Sequence, residues 1–350
     1  MNARVFRGAT FAALVFLLVQ VGSLALVPTF FAQGYQTVEN PADPVNSLVY
    51  VGAILVATVL MLAAFRYDFQ QAVRAVVLFS SALLSWYVFS VVLPSVLLAA
   101  ALSAGVAVAL LLYPEWYVVD TAGVLMGAGA GALFGISFGL LPAIVLLTVL
   151  AVYDAISVYG TEHMLSLAEG VMDLRIPVVL VIPLSLSYSL LEDDFAGAAG
   201  VHEDDDEGGE NGIDGAGSGG DSAGSDVSAG ANAAADDGAD GPGGGGATER
   251  DALFIGLGDA VMPTVMVASA AFFSPATSLG LSWLPALNLP ALTSMVGIFA
   301  GLAALLWAVL KGRAHAGLPL LNGGAILGYL VGSFAAGVPL LQALGVAQFL

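Results

Sequence analysis

Asp154 and Asp259 are the side chains in this 350-residue sequence with the clearest capacity for chemistry. Asp154 stands in Val-Leu-Ala-Val-Tyr-Asp-Ala-Ile and Asp259 in Ile-Gly-Leu-Gly-Asp-Ala-Val-Met, each inside a long apolar run that holds no arginine, lysine or histidine. An ionisable residue in such surroundings is costly and is a functional hypothesis by default. Taken singly, each aspartate could equally hydrogen-bond a neighbouring helix or line an ion path. Taken together they offer more. Two carboxyl groups that meet in a low dielectric cannot both ionise easily, so one proton is shared and the titration belongs to the pair. Such a pair suits hydrolysis of an amide by water. The carboxylate removes a proton from the water, while the protonated partner polarises the carbonyl and then assists the departing amine. That chemistry calls for neither a metal nor an organic cofactor.

The elements that must position this pair are membrane spans. Hydrophobic residues make up 59% of the chain and charged residues 10%, with a mean hydropathy of +0.93, which excludes an ordinary water-soluble domain. Apolar runs of roughly 20 residues, each able to cross a hydrocarbon core, recur along the sequence. The first, Thr10 to Phe31, is longer than the core of a cleaved leader and is read as a retained span. A second follows from about Ser47 to Phe65. The run from Val76 to Tyr113 is long enough for two spans, broken at Pro94. Asp120 and Thr121 are expected to cap a fifth span reaching about Leu140, and Leu141-Pro142 opens a sixth that ends near Tyr159. Glu162 to Arg175 has the pattern of a short interfacial helix, and Ile176 to Leu191, with its two prolines, that of a partial or re-entrant element. Three more spans are expected: Ala252 to Phe273, Leu292 to Val309 and Leu318 to Phe334. The expected fold is an all-α polytopic membrane protein of about nine transmembrane helices. It falls into an N-terminal membrane half (1–191), an acidic loop (192–250) and a C-terminal membrane half (251–350).

The formal net charge of -19 comes largely from that loop, where Glu-Asp-Asp-Asp-Glu gives way to Gly, Ser, Ala and Asp repeats. Such a segment has almost nothing to bury and reads as disordered and self-repelling. Its carboxylate density resembles that of proteins from extreme halophiles, where acidic surfaces hold water in high salt. An acidic chain of this kind offers nothing to nucleic acid, and the expected surroundings are a lipid bilayer. Without cysteine, disulfides, thiol catalysis and zinc-thiolate sites are excluded. His163, His202 and His315 are dispersed, so no metal site is argued.

The basic residues test the span order independently. With the N-terminus inside, Arg4, Arg7, Arg66, Arg74, Arg175, Arg250, Lys311 and Arg313, all 8 of the chain's cations, fall on one side. The positive-inside rule then gives a multi-pass protein of the cell membrane, with N-terminus and acidic loop cytoplasmic and C-terminus outside. The sixth and seventh spans are antiparallel. If both are helical, Asp154, about eight residues before Glu162, and Asp259, about nine after Arg250, each lie about 12 Å deep. They would meet at one level, with Gly256 and Gly258 allowing close backbone approach.

Tyr153-Asp154, a hydrophilic loop, and then Gly256-Leu257-Gly258-Asp259 resemble the YD and GxGD motifs of the presenilin and signal peptide peptidase family of intramembrane aspartyl proteases. The resemblance covers the whole membrane part and is nearest in size and character to the archaeal presenilin homologues. It implies an aspartic endopeptidase with Asp154 and Asp259 as catalytic pair, no cofactor, and transmembrane proteins or peptides as substrates. It leaves oligomeric state and accessory subunits open. A third family motif, PAL, helps hold substrate at the pair. Pro285-Ala286-Leu287 and Pro290-Ala291-Leu292 spell it, but they lie between the seventh and eighth spans, on the side away from the aspartates. The equivalent place is Pro319-Leu320-Leu321, with leucine in place of alanine, and the substrate-binding role is carried there. The charge map has the presenilin sense, which implies substrate helices oriented N-out, C-in. The family also adds a strand to the unwound substrate, and the Ile176 to Leu191 segment is a contributor to that step.

Two further signals are discounted. Gly127-Ala128-Gly129-Ala130-Gly131 with Gly135 lies within a span and follows no strand, so it reads as helix packing and not as a dinucleotide loop. Asp120-Thr121-Ala122-Gly123 matches the Asp-Thr-Gly of soluble aspartic proteases only loosely. The rival function for the two aspartates is proton- or cation-coupled transport, in which they would bind and release the driving ion.

Overall fold

The computed structural model describes residues 3–67, 69–160, 179–184, 188–190, 252–309 and 316–349. The interfacial helix expected over Glu162 to Arg175 and the acidic loop at 192–250 lie outside these residues. The helices are α1 (Ala3–Ala32), α2 (Val45–Arg66), α3 (Gln70–Val92), α4 (Val96–Leu112), α5 (Trp116–Ser137), α6 (Leu140–Gly160), α7 (Leu257–Phe273), α8 (Leu289–Val309), α9 (Gly317–Ala335) and the short α10 (Leu340–Ala343). Among the described residues, 7 helices are long and apolar enough to cross a membrane, and α4 and α7 are shorter apolar helices. The protein is a multi-pass helical membrane protein.

Between α3 and α4 the chain breaks at Leu93-Pro94-Ser95, and the Ser95 side chain accepts from the Leu98 N–H to start α4. Proline cannot continue the ladder of α3, and serine satisfies a donor that the start of α4 would otherwise leave open.

Two boundaries differ from expectation in ways that bear on the site. The fifth helix begins at Trp116, so Asp120 is not its cap: it lies inside α5, buried at 5% exposure, and its Oδ1 accepts from the Val181 N–H at 2.7 Å. Glu115, directly after Pro114, is the extended N-cap, so the helix starts more than one turn earlier than expected. The run from Ala252 is not one helix either. Residues Ala252–Gly256 form a strand, β2, paired antiparallel with β1 (Val179–Pro183), so that Val179 faces Gly256 and Pro183 faces Ala252. Ala-Leu-Phe-Ile-Gly is a short apolar run, and periodicity alone does not separate a buried strand from helix in so few residues.

At the centre, α5 packs on α1 and α7, while α6 and α9 close the other side of α7. Small residues allow this. A side-chain carbon on Gly131 would stand 2.9 Å from Ser23 Oγ and from Thr264 Cγ2, and one on Gly135 would collide with Ala268. The glycine run of the fifth span is therefore a packing surface, as expected from its place in a helix. The small sheet has two covered faces. Leu180, Ile182 and Ile255 join the main core, whereas Val181 and Ala252 join a second cluster with Leu110, Val119, Ala122 and Leu190.

Candidate active site

Asp154 is in the fifth turn of α6 and Asp259 in the first turn of α7, where β2 delivers it. Both are buried, at 2% and 8% exposure. Their carboxyl groups converge on two consecutive residues at the start of α9. The Leu318 N–H donates to Asp154 Oδ2 at 3.0 Å. At the adjacent Gly317, an added Cβ would stand 3.2 Å from Asp259 Oδ2. The two aspartates are also close enough to interact electrostatically.

The start of α9 suits this position. A helix begins with N–H groups that have no partner within it, and Ala316 supplies no side-chain cap, so the Leu318 N–H is available to a carboxylate. Pro319 follows within the first turn, where its missing N–H costs nothing. Gly317 lets the backbone pass beside Asp259 with no side chain between them.

The remaining predicted positions fall around this point. Tyr153 is half-buried beside Asp154. Gly256 is the N-cap of α7, and Leu257 is half-buried and packs near Gly123 of α5. Gly258 is exposed, and a Cβ there would meet nothing within 4 Å. The expected role of Gly258 in close backbone approach is thus wrong. The glycine that permits close approach at the dyad is Gly317. The depth estimate for Asp259 also changes, because residues 252–256 are extended and not helical. Pro319 and Leu320 are half-buried, and Leu321 is fully buried in the main core. The Leu320 carbonyl packs directly against Gly301 of α8. The decoy triplets lie at the far end of α7: Leu284 and Leu287 are core residues of the connection, and Pro290-Ala291 opens α8.

Residues that sequence reading passed over also reach this region. Asn322, one turn beyond Leu318 and fully buried, donates from Nδ2 to the Leu147 carbonyl at 3.1 Å and so ties α9 to α6 two turns from Asp154. A buried polar residue three positions after a helix-start proline is a readable signal. Asp120 and Glu115 anchor the sheet segment to α5. Glu115 accepts from the Ser189 hydroxyl at 2.6 Å and the Leu190 N–H at 3.0 Å. Among the described residues no three His, Cys, Asp or Glu side chains gather as a metal site would need.

Two buried carboxyl groups on neighbouring helices, meeting at the start of a third, define a multi-pass membrane protein organised around an acid pair. The comparisons carry this further. The family model for signal-peptide peptidase, presenilin aspartyl protease matches residues 13–338. The chain belongs to that family. Two solved structures of a presenilin family intramembrane aspartate protease, in different crystal forms, are similar to it. One is 28% identical with a TM-score of 0.58, covering 93% of this chain and 99% of the other. The second is 29% identical with a TM-score of 0.55, covering 92% and 96%. No curated protein matches at a significant level.

Proposed function

We propose that the protein hydrolyses peptide bonds within or near transmembrane segments of membrane proteins, with Asp154 and Asp259 as its catalytic pair. The supporting observation is the convergence of both carboxyl groups on Gly317 and Leu318. A scissile carbonyl lying between the two acids would have a carboxylate on the water's side and a proton donor on its own. The pair holds one proton between them, since two neighbouring carboxylate ions in an apolar interior would be strongly unfavourable. The Leu318 N–H fixes the rotamer of Asp154, and the strand-to-helix junction at Gly256 fixes Asp259 relative to it. The pair is then ordered before substrate arrives, which is the condition under which positioning lowers a barrier.

The substrate enters as an unwound strand, because a helical peptide bond is shielded by its own hydrogen bonds. The sheet β1–β2 runs directly into Asp259 and is the element such a strand would join. Pro319 and Leu320, half-buried at the start of α9, flank the segment to be cut, and Leu321 supports them from the core. The chain is oriented with its N-terminus and acidic loop on the cytoplasmic side of the cell membrane.

The test is incubation of the purified protein in lipid bicelles with a reporter carrying one apolar span, with and without a transition-state analogue of aspartyl proteases. Mass spectrometry reads the products. Cleavage inside or beside the span, lost with the analogue, is the expected result. Ion-coupled transport without any cleavage would overturn the proposal.

A further inference from the structure

Asp120 belongs to none of the motifs that define the catalytic pair, yet it is a carboxyl group buried in the second turn of a membrane-spanning helix. Its Oδ1 accepts the Val181 N–H at 2.7 Å, while Oδ2 has no hydrogen-bond partner among the described residues. A strand alternates the direction of its backbone groups, and this N–H points out of the β1–β2 ladder towards α5. In an apolar interior such a group must find an acceptor. One turn along α5, Gly123 leaves room for Leu180 of β1: an added Cβ would stand 2.8 Å from Leu180 Cδ2 and 3.7 Å from Leu257 Cδ1. Asp120 and Gly123 thus form one docking surface. It takes hold of β1 by a hydrogen bond and leaves space for β1 and for the first residue of α7. Glu115, on the preceding turn, holds Ser189 and Leu190.

The consequence reaches the dyad through the ladder. Val181 faces Phe254 and Val179 faces Gly256, and Gly256 is the N-cap of the helix whose first turn carries Asp259. We propose that Asp120 is a positioning residue for hydrolysis: its bond to Val181 fixes the sheet on α5, and so fixes which bond of a substrate strand lies opposite the catalytic pair. The same contact closes the outer edge of β1 to an added strand at Val181. The inference rests on the protease reading above. Its chemistry needs an acceptor and not a charge, so an asparagine at 120 can do the same work.

The experiment uses the full chain in bicelles and the single-span reporter, with products mapped by mass spectrometry and KM and kcat measured separately. Asp120→Ala is expected to spread cleavage over neighbouring bonds and to raise KM about tenfold, as for loss of one buried hydrogen bond to a carboxyl group. Val181→Pro removes the donor and not the acceptor, and is expected to reproduce that product pattern even if Asp120→Ala does not fold. Asp120→Asn is expected to restore the single wild-type cut. An unchanged cut and KM in Asp120→Ala or in Val181→Pro, or an Asn variant as impaired as the Ala variant, overturns the proposal. A reporter left whole by the wild type, or still cut by Asp259→Asn, sinks the protease reading and takes this role of Asp120 with it. Amide exchange over residues 179–184 is a readout independent of activity, and unchanged exchange in Asp120→Ala sinks the clamp alone.

Discussion

The two ends of the α7–α9 region use glycine for opposite purposes. Along the seam between α8 and α9, Gly297, Gly301, Gly324 and Gly328 bring one backbone against the other, so that a Cβ on any of them would collide with main-chain atoms of the partner helix. At the start of α7, Gly258 borders open space, with nothing within 4 Å of where its Cβ would be. Close packing of this kind replaces the hydrophobic drive that helices lack in lipid. It fixes α9 against α8, and so fixes where Gly317 and Leu318 present themselves to the two aspartates. The open end leaves room next to Asp259 in the chain that a packed seam could not supply. A rigid support beside an open helix start is the division of labour that the proposed catalytic pair would need.

The largest effect should come from the carboxyl groups themselves. Asp154→Asn or Asp259→Asn is expected to lower cleavage of the single-span reporter by at least about a thousandfold, because neither leaves a pair able to hold and return one proton. Thermal unfolding in detergent should stay near wild type for both. Activity surviving in either variant would break the link between the open end and chemistry. Next comes the seam. Gly301→Leu forces a side chain into the Leu320 carbonyl and is expected to destabilise the protein by about 3 kcal/mol or more. Thermal unfolding should show this, with activity lost in proportion to the folded fraction. A stable Gly301→Leu protein would mean that the seam is not the rigid support.

Gly317→Ala sits where the two regions join. Its Cβ, 3.2 Å from Asp259 Oδ2, is tight but not impossible, so the carboxyl group must shift by a few tenths of an ångström. The expected outcome is a fall of about tenfold in kcat with less than about 1 kcal/mol change in stability, since misplacement at the reacting atoms costs rate before it costs fold. A drop in thermal stability matching the loss of rate would instead place Gly317 with the seam.

These positions also show what was legible in the residues. The apolar runs were readable because length and composition alone decide what crosses a bilayer, and α6 spans Leu140–Gly160 against an expected 141–159. That Asp154 and Asp259 belong together was readable from two lone acids in consecutive apolar runs, but their matched distances to the polar boundary rested on a helix that residues 252–256 do not form. The route to it was not. Residues 252–256 are five apolar residues that pair with a segment about 70 positions earlier, and no local pattern reports a partner so distant. Asp120 was misread for a related reason. An acid near the start of an apolar run is usually a cap, and only the placement of β1 shows that it serves a strand from inside the helix. Gly256-Leu257-Gly258 drew attention as a close-packing motif, yet the residue that touches Asp259 is Gly317, whose neighbour exists only in three dimensions.

The smallest expected change is the one that separates the two uses of glycine most sharply. Gly258→Ala places a methyl group in open space in the first turn of α7. Alanine is the better helix former, so stability should be unchanged or raised by up to about 1 kcal/mol. If that space is where the substrate strand passes, the methyl group meets the substrate and not the protein. Cleavage should then slow severalfold through KM, with kcat nearly unaltered, because the dyad and the start of α9 are untouched. The matching Gly324→Ala on the seam should do the reverse, lowering thermal stability through its collision with Gly297 while the folded fraction keeps a wild-type KM. Equal thermal and kinetic responses at the two positions would erase the distinction between a packed seam and an open site.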